Sequence, residues 1–470
     1  MSLTAPSTPA ATSSGETLVS DRDRRLDALI AAEESSFLAR QPRSTELIER
    51  ARRHLAGGAT SNWQIASPQS VWLSHGAGSK LYDVDGTEYV DLHGGYGVSL
   101  AGHANPAIVA AVRQRVGLGT HFAQPTADAI DVAENLAERF GLPVWRFTNS
   151  GTEATMDAVH LMRAVTERDL IIKLEGGYHG HHDSVQVSVM PEEDEAGPAD
   201  APLQVAGSSG IPQAIRDLTL VVAFNDLDMV RRTLEAHPGQ IAGMILEPVM
   251  MNAGIILPRE GYLAGLKELL HSHGALLAFD EVKTGFTSGP SGVTGIYGVT
   301  PDIIALAKAL GGGLSSAAIG GTEEVMAAIA DGRYEQVGTF NGNPLAMAAT
   351  KAMLTEVLTP AAYARIDILR GQLVDGVQAV IAEHDAPWGV VALGAKGCVT
   401  FVPGEVHDYR GFLDIDERLG QAHWLMQHNG GVFLPPWGKI EQWLLSVQHT
   451  SADADRFVAN FARFTTAVMV

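Results

Sequence analysis

The sequence predicts an α/β protein with a large domain built on a mainly parallel sheet and a second, smaller α+β domain. Between about residues 105 and 345, short apolar runs alternate with helical stretches, a pattern that indicates a parallel sheet covered by helices. The runs are almost continuously apolar, as expected for strands buried on both faces. From about residue 346, long helical patterns mix with short strands instead. We therefore expect a ligand site beyond the carboxyl ends of the central strands.

Six apolar runs predict the central strands. They are "VWRFTN", "LIIKLEG", "LTLVVAFND", "IAGMILEPV", "ALLAFDEV" and "DIIALAK". After the first run, Ala158, Leu161, Met162 and Val165 repeat at i, i+3, i+4 and i+7. This spacing predicts a helix with one buried face that follows the first strand.

The chain divides into four predicted segments. These are an N-terminal arm, partly disordered, at residues 1–42, the first part of the small domain at 43–104, the large domain at 105–345, and the second part of the small domain at 346–470. Alternating runs on either side of Asp85-Gly86 predict a β-hairpin. The acidic, Pro/Gly/Ser-rich stretch 190–210 predicts a mobile surface loop or, alternatively, a lid over the site.

Composition narrows the classes of function. The 470 residues are 46% hydrophobic, and 33 Lys+Arg against 54 Asp+Glu give a net charge of −21. Such a surface disfavours nucleic acid and anionic membranes, and no apolar stretch reaches the length of a membrane span. The arm lacks the apolar core of a signal peptide. The only cysteine, Cys398, excludes an intrachain disulfide and is expected to be a small buried side chain, so a cytoplasmic location is expected.

A lone lysine and a lone acid stand at the ends of two predicted strands. Lys308 lies between an apolar run and three glycines, and Asp280 ends another apolar run. An amine in an apolar pocket is a usable nucleophile, because burial disfavours its charged form. A Schiff base with the aldehyde of pyridoxal phosphate is the obvious use, and Asp280 would then hold the pyridine nitrogen protonated. Taken alone, Asp280 fits a strand-terminal cap or an ion pair as well.

Two further stretches supply parts that such a cofactor needs. In "TNSGTEATMDA" a strand ends at a Ser150-Gly151-Thr152 turn and a helix begins, which suits a phosphate; an ordinary capping box explains it equally. In "GGYHGHHDS", Tyr178 or His179 would form an aromatic plate over the ring. One alternative is a metal site, which we do not favour, formed by His179, His181, His182 and Asp183. The other is a hydrogen-bonding role for the later histidines.

These motifs together resemble the class III pyridoxal-phosphate-dependent aminotransferases of fold type I. The resemblance covers about residues 43–460 and rests on "NSGTEA", "YHG", "EPV", "FDEV", "GYGVTPDIIALAKALGGG" and "GTFNGNPLAMAA". Within the class, the chain is most similar to glutamate-1-semialdehyde aminomutase and to β-amino-acid and amine aminotransferases. The resemblance implies a large domain with a mainly parallel, seven-stranded sheet and a smaller α+β domain.

The resemblance also implies roles for individual residues. Lys308 would form the Schiff base and then move a proton between substrate and cofactor, and Asp280 would pair with the pyridine nitrogen. The remaining cofactor-binding residues would be Val282 under the ring, Tyr178 over it, Ser150, Gly151 and Thr152 at the phosphate, and Glu247 and Asn252 near the ring hydroxyl. Thr339 would reach the phosphate bound by a neighbouring subunit, which implies a homodimer with its active sites at the subunit interface. No metal site is implied.

The substrate side departs from the aminomutase pattern. In "GGATSNWQIAS", Gln64 occupies the position where the aminomutase carries an arginine for the distal carboxylate, and glutamine cannot form a charged bidentate clamp. Ser61 matches a serine of the aminomutase, Trp63 adds an apolar wall, and Glu441 matches a glutamate. We predict substrate contacts for these four residues, and no arginine stands at an obvious clamp position.

Three hypotheses follow for the function. The first is a ping-pong aminotransferase that moves an amino group between a small-molecule donor and a keto acceptor, the donor being an apolar or aromatic amine, α-amino acid or β-amino acid. The second is an intramolecular aminomutase acting on glutamate-1-semialdehyde. The third is a regulatory protein that binds the cofactor without catalysis, which the presence of both Lys308 and Asp280 argues against.

Overall fold

A computed structural model describes residues 21–436, 439 and 443–469. Its strands are, in chain order, β1 (Leu73–Ala77), β2 (Lys80–Asp83), β3 (Glu88–Asp91), β4 (Val144–Thr148), β5 (Leu170–Leu174), β6 (Thr219–Val222), β7 (Ile241–Leu246), β8 (Leu276–Asp280), β9 (Ile303–Leu306), β10 (Ala317–Gly321), β11 (Gly389–Leu393), β12 (Lys396–Thr400), β13 (Val432–Phe433) and β14 (Trp443–Leu444). They form three sheets within the described residues.

The large sheet carries the predicted site. Its seven strands run in the order β4-β10-β9-β8-β7-β5-β6, and all neighbours are parallel except for the two pairs made by β10. The six predicted runs correspond to β4 through β9, so the expected α/β fold is confirmed. The antiparallel strand β10 was not predicted from its residues. It consists mainly of alanine and glycine, which lack the β-branched signature of strands, although all five of its residues are buried.

Helices cover both faces of this sheet and extend the structure at both ends of the chain. In chain order they are α1 (Asp21–Ala39), α2 (Pro42–Ala51), α3 (Pro106–Val116), α4 (Ala127–Phe140), α5 (Gly151–Thr166), α6 (Gln213–Arg216), α7 (Leu227–Ala236), α8 (Tyr262–Ser272), α9 (Thr284–Thr287), α10 (Gly292–Tyr297), α11 (Glu323–Ala330), α12 (Pro344–Ala352), α13 (Pro360–Glu383), α14 (Tyr409–Leu413), α15 (Glu417–Asn429) and α16 (Ser451–Met469). As predicted, α5 buries Ala158, Leu161 and Met162, and Val165 is partly buried against the same cluster.

Two smaller sheets complete the fold, and one of them joins the two ends of the chain. One has the order β1-β2-β3-β13, and the other has the order β11-β12-β14. Strands β2 and β3 form the predicted hairpin around Asp85-Gly86. Strand β3 pairs with β13 from the opposite end of the chain, with Val90 opposite Val432. A small domain assembled from both chain ends requires such a pairing, although the predicted domain boundaries themselves stay a prediction.

Part of the predicted N-terminal arm is a packed helix. The Phe37 side chain of α1 is fully buried and lies 5.4 Å, ring to ring, from Trp424 of α15. Arg418 of α15 bonds to Asp23 and Asp27 on α1. The disordered stretch expected at residues 1–20 lies outside the described residues.

The insertion at 190–210 is held against its neighbours. Ala196 is fully buried, Ser188 and Val205 exchange hydrogen bonds, and the Tyr409 hydroxyl donates to the Pro191 carbonyl at 2.9 Å. None of residues 190–210 lines the cavity described below, so this stretch is not a lid over it in this structure. Cys398 is buried, as expected. Among the described helices, none has the length and apolarity to cross a membrane.

Candidate active site

The carboxyl ends of four strands open onto one cavity of about 460 Å³, a volume in the usual range for a small-molecule site. Asp280 is the last residue of β8, Glu247 follows β7, and Lys308 lies two residues beyond β9. Predicted site residues that line the cavity are Ser61, Trp63, Gln64, Ser150, Gly151, Thr152, Tyr178, Glu247, Asn252, Asp280, Val282 and Lys308. The sheet therefore brings together residues that are up to 247 positions apart in the chain, from Ser61 to Lys308.

Two predicted site residues are not part of this group. Thr339 is exposed and is not among the residues that line the cavity of its own chain. Glu441 lies outside the described residues. The predicted roles of both therefore stay predictions.

A buried histidine holds the Asp280 carboxylate. Asp280 is 4% exposed, and its Oδ2 lies 2.7 Å from Nδ1 of the fully buried His179 side chain. Because a carboxylate only accepts hydrogen bonds, the proton of this bond belongs to His179 Nδ1. The Val282 N–H donates to Asp280 Oδ1 at 3.0 Å. Two donors thus fix the orientation of the acid at the floor of the cavity, and this use of His179 favours Tyr178 for the aromatic plate.

Glu247 organises the adjoining wall. Its Oε1 accepts from the Tyr178 N–H at 3.1 Å, and its Oε2 accepts from the Met251 N–H and the Asn252 side-chain amide at 2.9 and 2.8 Å. Three donors satisfy the charge of this buried carboxylate. One acid therefore positions both Tyr178 and Asn252.

The turn at the start of α5 has the form of an anion site. Ser150 is the N-cap, and its Oγ accepts from the Glu153 N–H, while Glu153 Oε2 accepts from the Asn149 N–H at 2.8 Å. The Ser150 cap of the predicted capping box is present, but Glu153 bonds back to the Asn149 N–H and not to that of Ser150. The first N–H groups of this 16-residue helix lie at the cavity, which Ser150, Gly151 and Thr152 line. A Cβ on Gly151 would lie 2.9 Å from Val282 Cγ1, so glycine allows this turn to approach Val282 closely.

Lys308 occupies a strained backbone position. Its φ is +49°, in the left-handed region that residues with a side chain rarely adopt. It opens a short 3-10 turn over Lys308–Gly311. Strain of about 1–3 kcal/mol at one residue persists only where surrounding structure imposes it, and it is concentrated at functional sites.

Aromatic rings form the outer part of the cavity. Trp63 lies 5.3 Å from Tyr96 and 5.7 Å from Tyr178, ring to ring, and the Tyr96 hydroxyl donates to the Trp63 carbonyl at 2.6 Å. Burial raises the pKa of Tyr178, so its hydroxyl stays neutral. Gln64 is exposed, and its Oε1 accepts from the Thr60 hydroxyl at 2.5 Å. This bond turns the Gln64 amide oxygen toward Thr60.

The structure adds residues that the sequence did not assign to the site. Tyr96, Lys283 and Asn149 line the cavity, and His179 serves Asp280. Tyr96 has a φ of +61° in a glycine-rich turn that carries no motif of its own. Lys283 stands three residues after Asp280 in "FDEVK", a proximity that could have marked it as a second cation at the strand end.

The metal alternative for the histidine cluster finds no support in the described residues. His179 bonds to Asp280, His181 Nδ1 lies 3.2 Å from the Thr152 hydroxyl, and burial lowers the pKa of His182 to about 3. Within the described residues, no three His, Cys, Asp or Glu side chains are grouped so that they could hold a metal ion.

The chain is similar to known proteins over most of its length. Residues 64–446 match the family model described as aminotransferase class III. Glutamate-1-semialdehyde 2,1-aminomutase 2 of Brevibacillus brevis is 36% identical over 421 residues, which are 88% of this chain and 96% of that protein.

Two solved structures share the fold over almost their full length. A glutamate-1-semialdehyde-aminomutase from Pseudomonas aeruginosa PAO1 in complex with PMP superposes with a TM-score of 0.86 and 30% identity, covering 95% of this chain and 99% of that one. A β-phenylalanine aminotransferase from Variovorax paradoxus superposes with a TM-score of 0.82 and 30% identity, covering 93% and 97%.

Proposed function

We propose that this chain, which belongs to the class III aminotransferase family and uses pyridoxal 5′-phosphate, transfers the amino group of an apolar or aromatic amino acid or amine to a keto acid. The family and the cofactor that the sequence predicted are confirmed. The substrates, the residue roles and the homodimer are the proposed part.

The residues of the cavity fit the cofactor. The N–H and hydroxyl groups of Gly151 and Thr152 suit its phosphate, because a helix N-terminus favours anions. The Asp280 carboxylate suits a protonated ring nitrogen, and Val282 offers an apolar surface next to the anion-binding turn. Lys308 supplies the amine that reacts with the aldehyde.

The chemistry divides between the cofactor and the chain. Pyridoxal 5′-phosphate, when bound, supplies an aldehyde that condenses with amines and a ring that accepts electrons from the substrate. Lys308 Nζ would bind the aldehyde and, once the donor amine displaces it, would move a proton from the substrate carbon to the cofactor carbon. Asp280, held by His179, would keep the proton on the ring nitrogen. Tyr178 and Val282 would hold the ring from its two faces.

The observation that carries the substrate proposal is the aromatic outer wall. Trp63, Tyr96 and Tyr178 face the cavity, whereas no arginine is among its lining residues in the part of the chain that the structure describes. Aromatic walls bind apolar and aromatic groups, with contacts of about 0.5–1.5 kcal/mol per ring pair beyond the area buried. An apolar side chain on the donor suits this wall.

A second candidate is the intramolecular aminomutase. The relative from Brevibacillus brevis bears that name at 36% identity, and Ser61, shared with the aminomutase pattern, lines the cavity. Gln64 in place of the arginine, with its oxygen held by Thr60, favours the aminotransferase.

A donor and acceptor screen separates the two candidates. Purified holoenzyme would be given 3-amino-3-phenylpropanoate, 1-phenylethylamine and phenylalanine, each with pyruvate or 2-oxoglutarate, and glutamate-1-semialdehyde alone. We expect amino transfer from the aromatic donors and a shift in cofactor absorbance when a donor is added without an acceptor. Turnover of glutamate-1-semialdehyde alone, with no transfer from any donor, would replace the aminotransferase with the aminomutase.

An exposed apolar surface beside the cavity supports a homodimer. Val337 is 75% and Phe340 is 59% exposed, and the Phe340 ring lies 5.2 Å from His121. Asn341, one residue further, accepts a hydrogen bond at 2.9 Å from Asn149, which lines the cavity. Exposed apolar patches of this kind mark interaction surfaces. We propose that a second copy of the chain covers residues 337–341 and receives Thr339 at its phosphate site.

Mixed dimers test the shared site. Chains carrying Lys308→Ala and chains carrying Thr339→Glu would each be inactive, the second because a carboxylate repels phosphate. If Thr339 acts in the neighbouring subunit, each mixed dimer has one site with both residues intact, and activity returns on mixing. Activity that stays absent in verified mixed dimers would show that Thr339 does not serve the other subunit.

A further inference from the structure

A buried acid on α5 holds the segment that carries Thr339. Asp157 lies on α5 and is 4% exposed. Its Oδ1 accepts from the Tyr334 hydroxyl at 2.6 Å, and its Oδ2 accepts from the Gln336 side-chain amide at 3.2 Å. A buried carboxylate costs free energy unless donors satisfy it, and burial raises the pKa of Asp157. Both oxygens of this costly group are used to hold one neighbouring segment.

Segment 331–343 depends on such side-chain contacts for its position. It connects α11 to α12 without a helix or strand of its own, and residues 337–340 are exposed. A stretch of this kind has few buried contacts to fix its place. At its far end, the Asn341 side chain accepts at 2.9 Å from that of Asn149, which directly precedes the cap of α5. Thr339 therefore lies between two attachments, one to α5 and one to the turn before it.

Helix α5 also carries the phosphate turn of its own subunit. Gly151 and Thr152 in its first turn line the cavity. Asp157 follows Gly151 by six residues, which is roughly 9 Å along the axis of an α-helix at about 1.5 Å per residue. Between these points the helix packs on the sheet, and its Ala154 side chain is fully buried. One packed helix thus supports both the phosphate turn and the segment that presents Thr339.

We propose that Asp157 is a positioning residue for the neighbouring subunit: through its two bonds to segment 331–343 it sets where Thr339 meets the phosphate bound by the second copy of the chain. This inference rests on the homodimer proposed above and adds to it the group that aims Thr339. Each α5 then serves two cofactors. Its first turn holds the cofactor of its own subunit, and Asp157 acts on that of the other subunit.

Mixed dimers separate an effect on the other subunit from an effect on the same subunit. One chain, the silent chain, would carry Lys308→Ala, so that only the other, reporting chain shows the absorbance of cofactor bound to Lys308. Asp157→Ala is placed on either chain. Holoenzyme would be incubated with excess pyridoxine 5′-phosphate, which has no aldehyde and cannot bond to Lys308. The decay of the absorbance then gives the rate of cofactor loss.

We expect Asp157→Ala on the silent chain to speed cofactor loss from the reporting chain about 10-fold. Thr339→Ala on the silent chain should give the full effect of about 10- to 100-fold, the worth of a hydrogen bond to a charged group. Adding Asp157→Ala to that chain should then change little, because both residues act through one contact. On the reporting chain, Asp157→Ala should stay within about twofold.

Tyr334→Phe gives a second, milder variant that leaves α5 unchanged. It removes one of the two donors to Asp157, so it should speed cofactor loss by less than Asp157→Ala, and again only from the silent chain. The matched control is Asp302→Ala. Asp302 is also a buried carboxylate, but it accepts at 2.7 Å from the Leu277 N–H, at the end of β8 opposite Asp280. It should change cofactor loss by less than about twofold from either chain.

Hydrogen exchange supplies a readout that does not depend on the cofactor bond. In holoenzyme, peptides that span residues 334–341 should exchange faster in Asp157→Ala than in wild type, and Asp302→Ala should leave them unchanged. Sedimentation would verify that the dimer persists in each variant. Unchanged exchange in Asp157→Ala would overturn the positioning role.

The outcomes separate this inference from the proposed function. No effect of Thr339→Ala on the silent chain would overturn the shared phosphate site, and the role of Asp157 with it. An effect of Thr339→Ala without one of Asp157→Ala on the silent chain would overturn the role of Asp157 alone. An equal or larger effect of Asp157→Ala on the reporting chain would do the same. Because no amine is added, the result does not depend on which donor the enzyme accepts.

Discussion

The inner and outer halves of the cavity are built differently. The inner half consists of buried groups at strand ends, Asp280, His179 and Glu247, each held by hydrogen bonds from the protein. The outer half consists of Ser61, Trp63 and Gln64 from an exposed or half-exposed segment that includes a single 3-10 turn. The inner half presents fixed charges, whereas the outer half presents the Trp63 ring and the exposed Gln64 amide.

This difference teaches how one scaffold serves many substrates. The inner groups lie at or after the carboxyl ends of strands β5, β7 and β8, each of which is paired on both sides. The outer groups lie off the sheet and contact other connecting segments, as in the bond from the Tyr96 hydroxyl to the Trp63 carbonyl. Changes in the inner half should therefore affect every donor alike, while changes in the outer half should alter the ranking of donors.

The largest effect is expected at the centre of the inner half. Lys308→Ala should lower kcat/KM for every donor by about 10⁴-fold or more, because it removes both a proton transfer worth roughly 10²- to 10⁴-fold and the covalent attachment. Borohydride reduction followed by peptide mass spectrometry should find the cofactor on Lys308 in the wild type. Attachment of the cofactor to Lys283 instead would show that Lys283, and not Lys308, forms the Schiff base.

Asp280→Asn should produce the next largest effect. Breaking a buried ion pair costs about 3–5 kcal/mol, so kcat/KM should fall by roughly 10²- to 5 × 10³-fold for aromatic and small donors in equal measure. Steady-state kinetics with 1-phenylethylamine and with alanine would measure this. A loss confined to one donor would contradict the expectation that changes in the inner half affect every donor alike.

Trp63→Ala tests the outer half. Trp63 lies 5.3 Å from Tyr96 and 5.7 Å from Tyr178, ring to ring, and removing its ring from this wall should lower kcat/KM for aromatic donors by about 10-fold. Alanine, which does not reach the rings, should be affected by less than about twofold. Cofactor absorbance should be unchanged. A loss of that absorbance would show that Trp63 takes part in binding the cofactor, as the inner groups are proposed to do.

The smallest effect is expected at Lys173, which is fully buried and whose charge is attracted by Glu247. Burial lowers its pKa to about 7, and its Nζ donates to the Leu174 and Val187 carbonyls. Between pH 7 and the unfolded value near 10.5, unfolding takes up a proton, so this group makes the free energy of unfolding rise with pH. Below about pH 7 the cost of burying the charge is present in full.

Lys173→Met removes that titration. The stability of the variant relative to wild type should therefore be higher at pH 6 than at pH 9, as measured by denaturant unfolding of the cofactor-free protein at both values. Lys267→Met is the control for the loss of a lysine, since it removes an Nζ that donates to the Thr300 carbonyl at 2.8 Å. A pH-independent difference for Lys173→Met would show that Lys173 keeps its charge in the folded state.

The residues of the inner half were predicted from the sequence better than those of the outer half. Strands β4 to β9 and the ends that carry Asp280, Glu247 and Lys308 were predicted from apolar runs, since buried parallel strands read as continuous hydrophobic stretches. Strands β1, β10 and β11 were missed. Strand β10 is fully buried but has little more than alanine and glycine to mark it.

The amino-acid sequence by itself determined the α/β class and the strand ends, because apolar runs recur along the chain, and it determined the family and cofactor through motifs of a few adjacent residues. Only the tertiary structure decided that His179 serves Asp280, that Glu247 holds Tyr178 and Asn252, and that Gly97 packs close to the side chains of Lys283 and Lys308. The physical reason is that hydrogen bonds and van der Waals contacts act over a few ångströms in space. Residues 101 or 186 positions apart, such as His179 and Asp280 or Gly97 and Lys283, meet only once the sheet has formed.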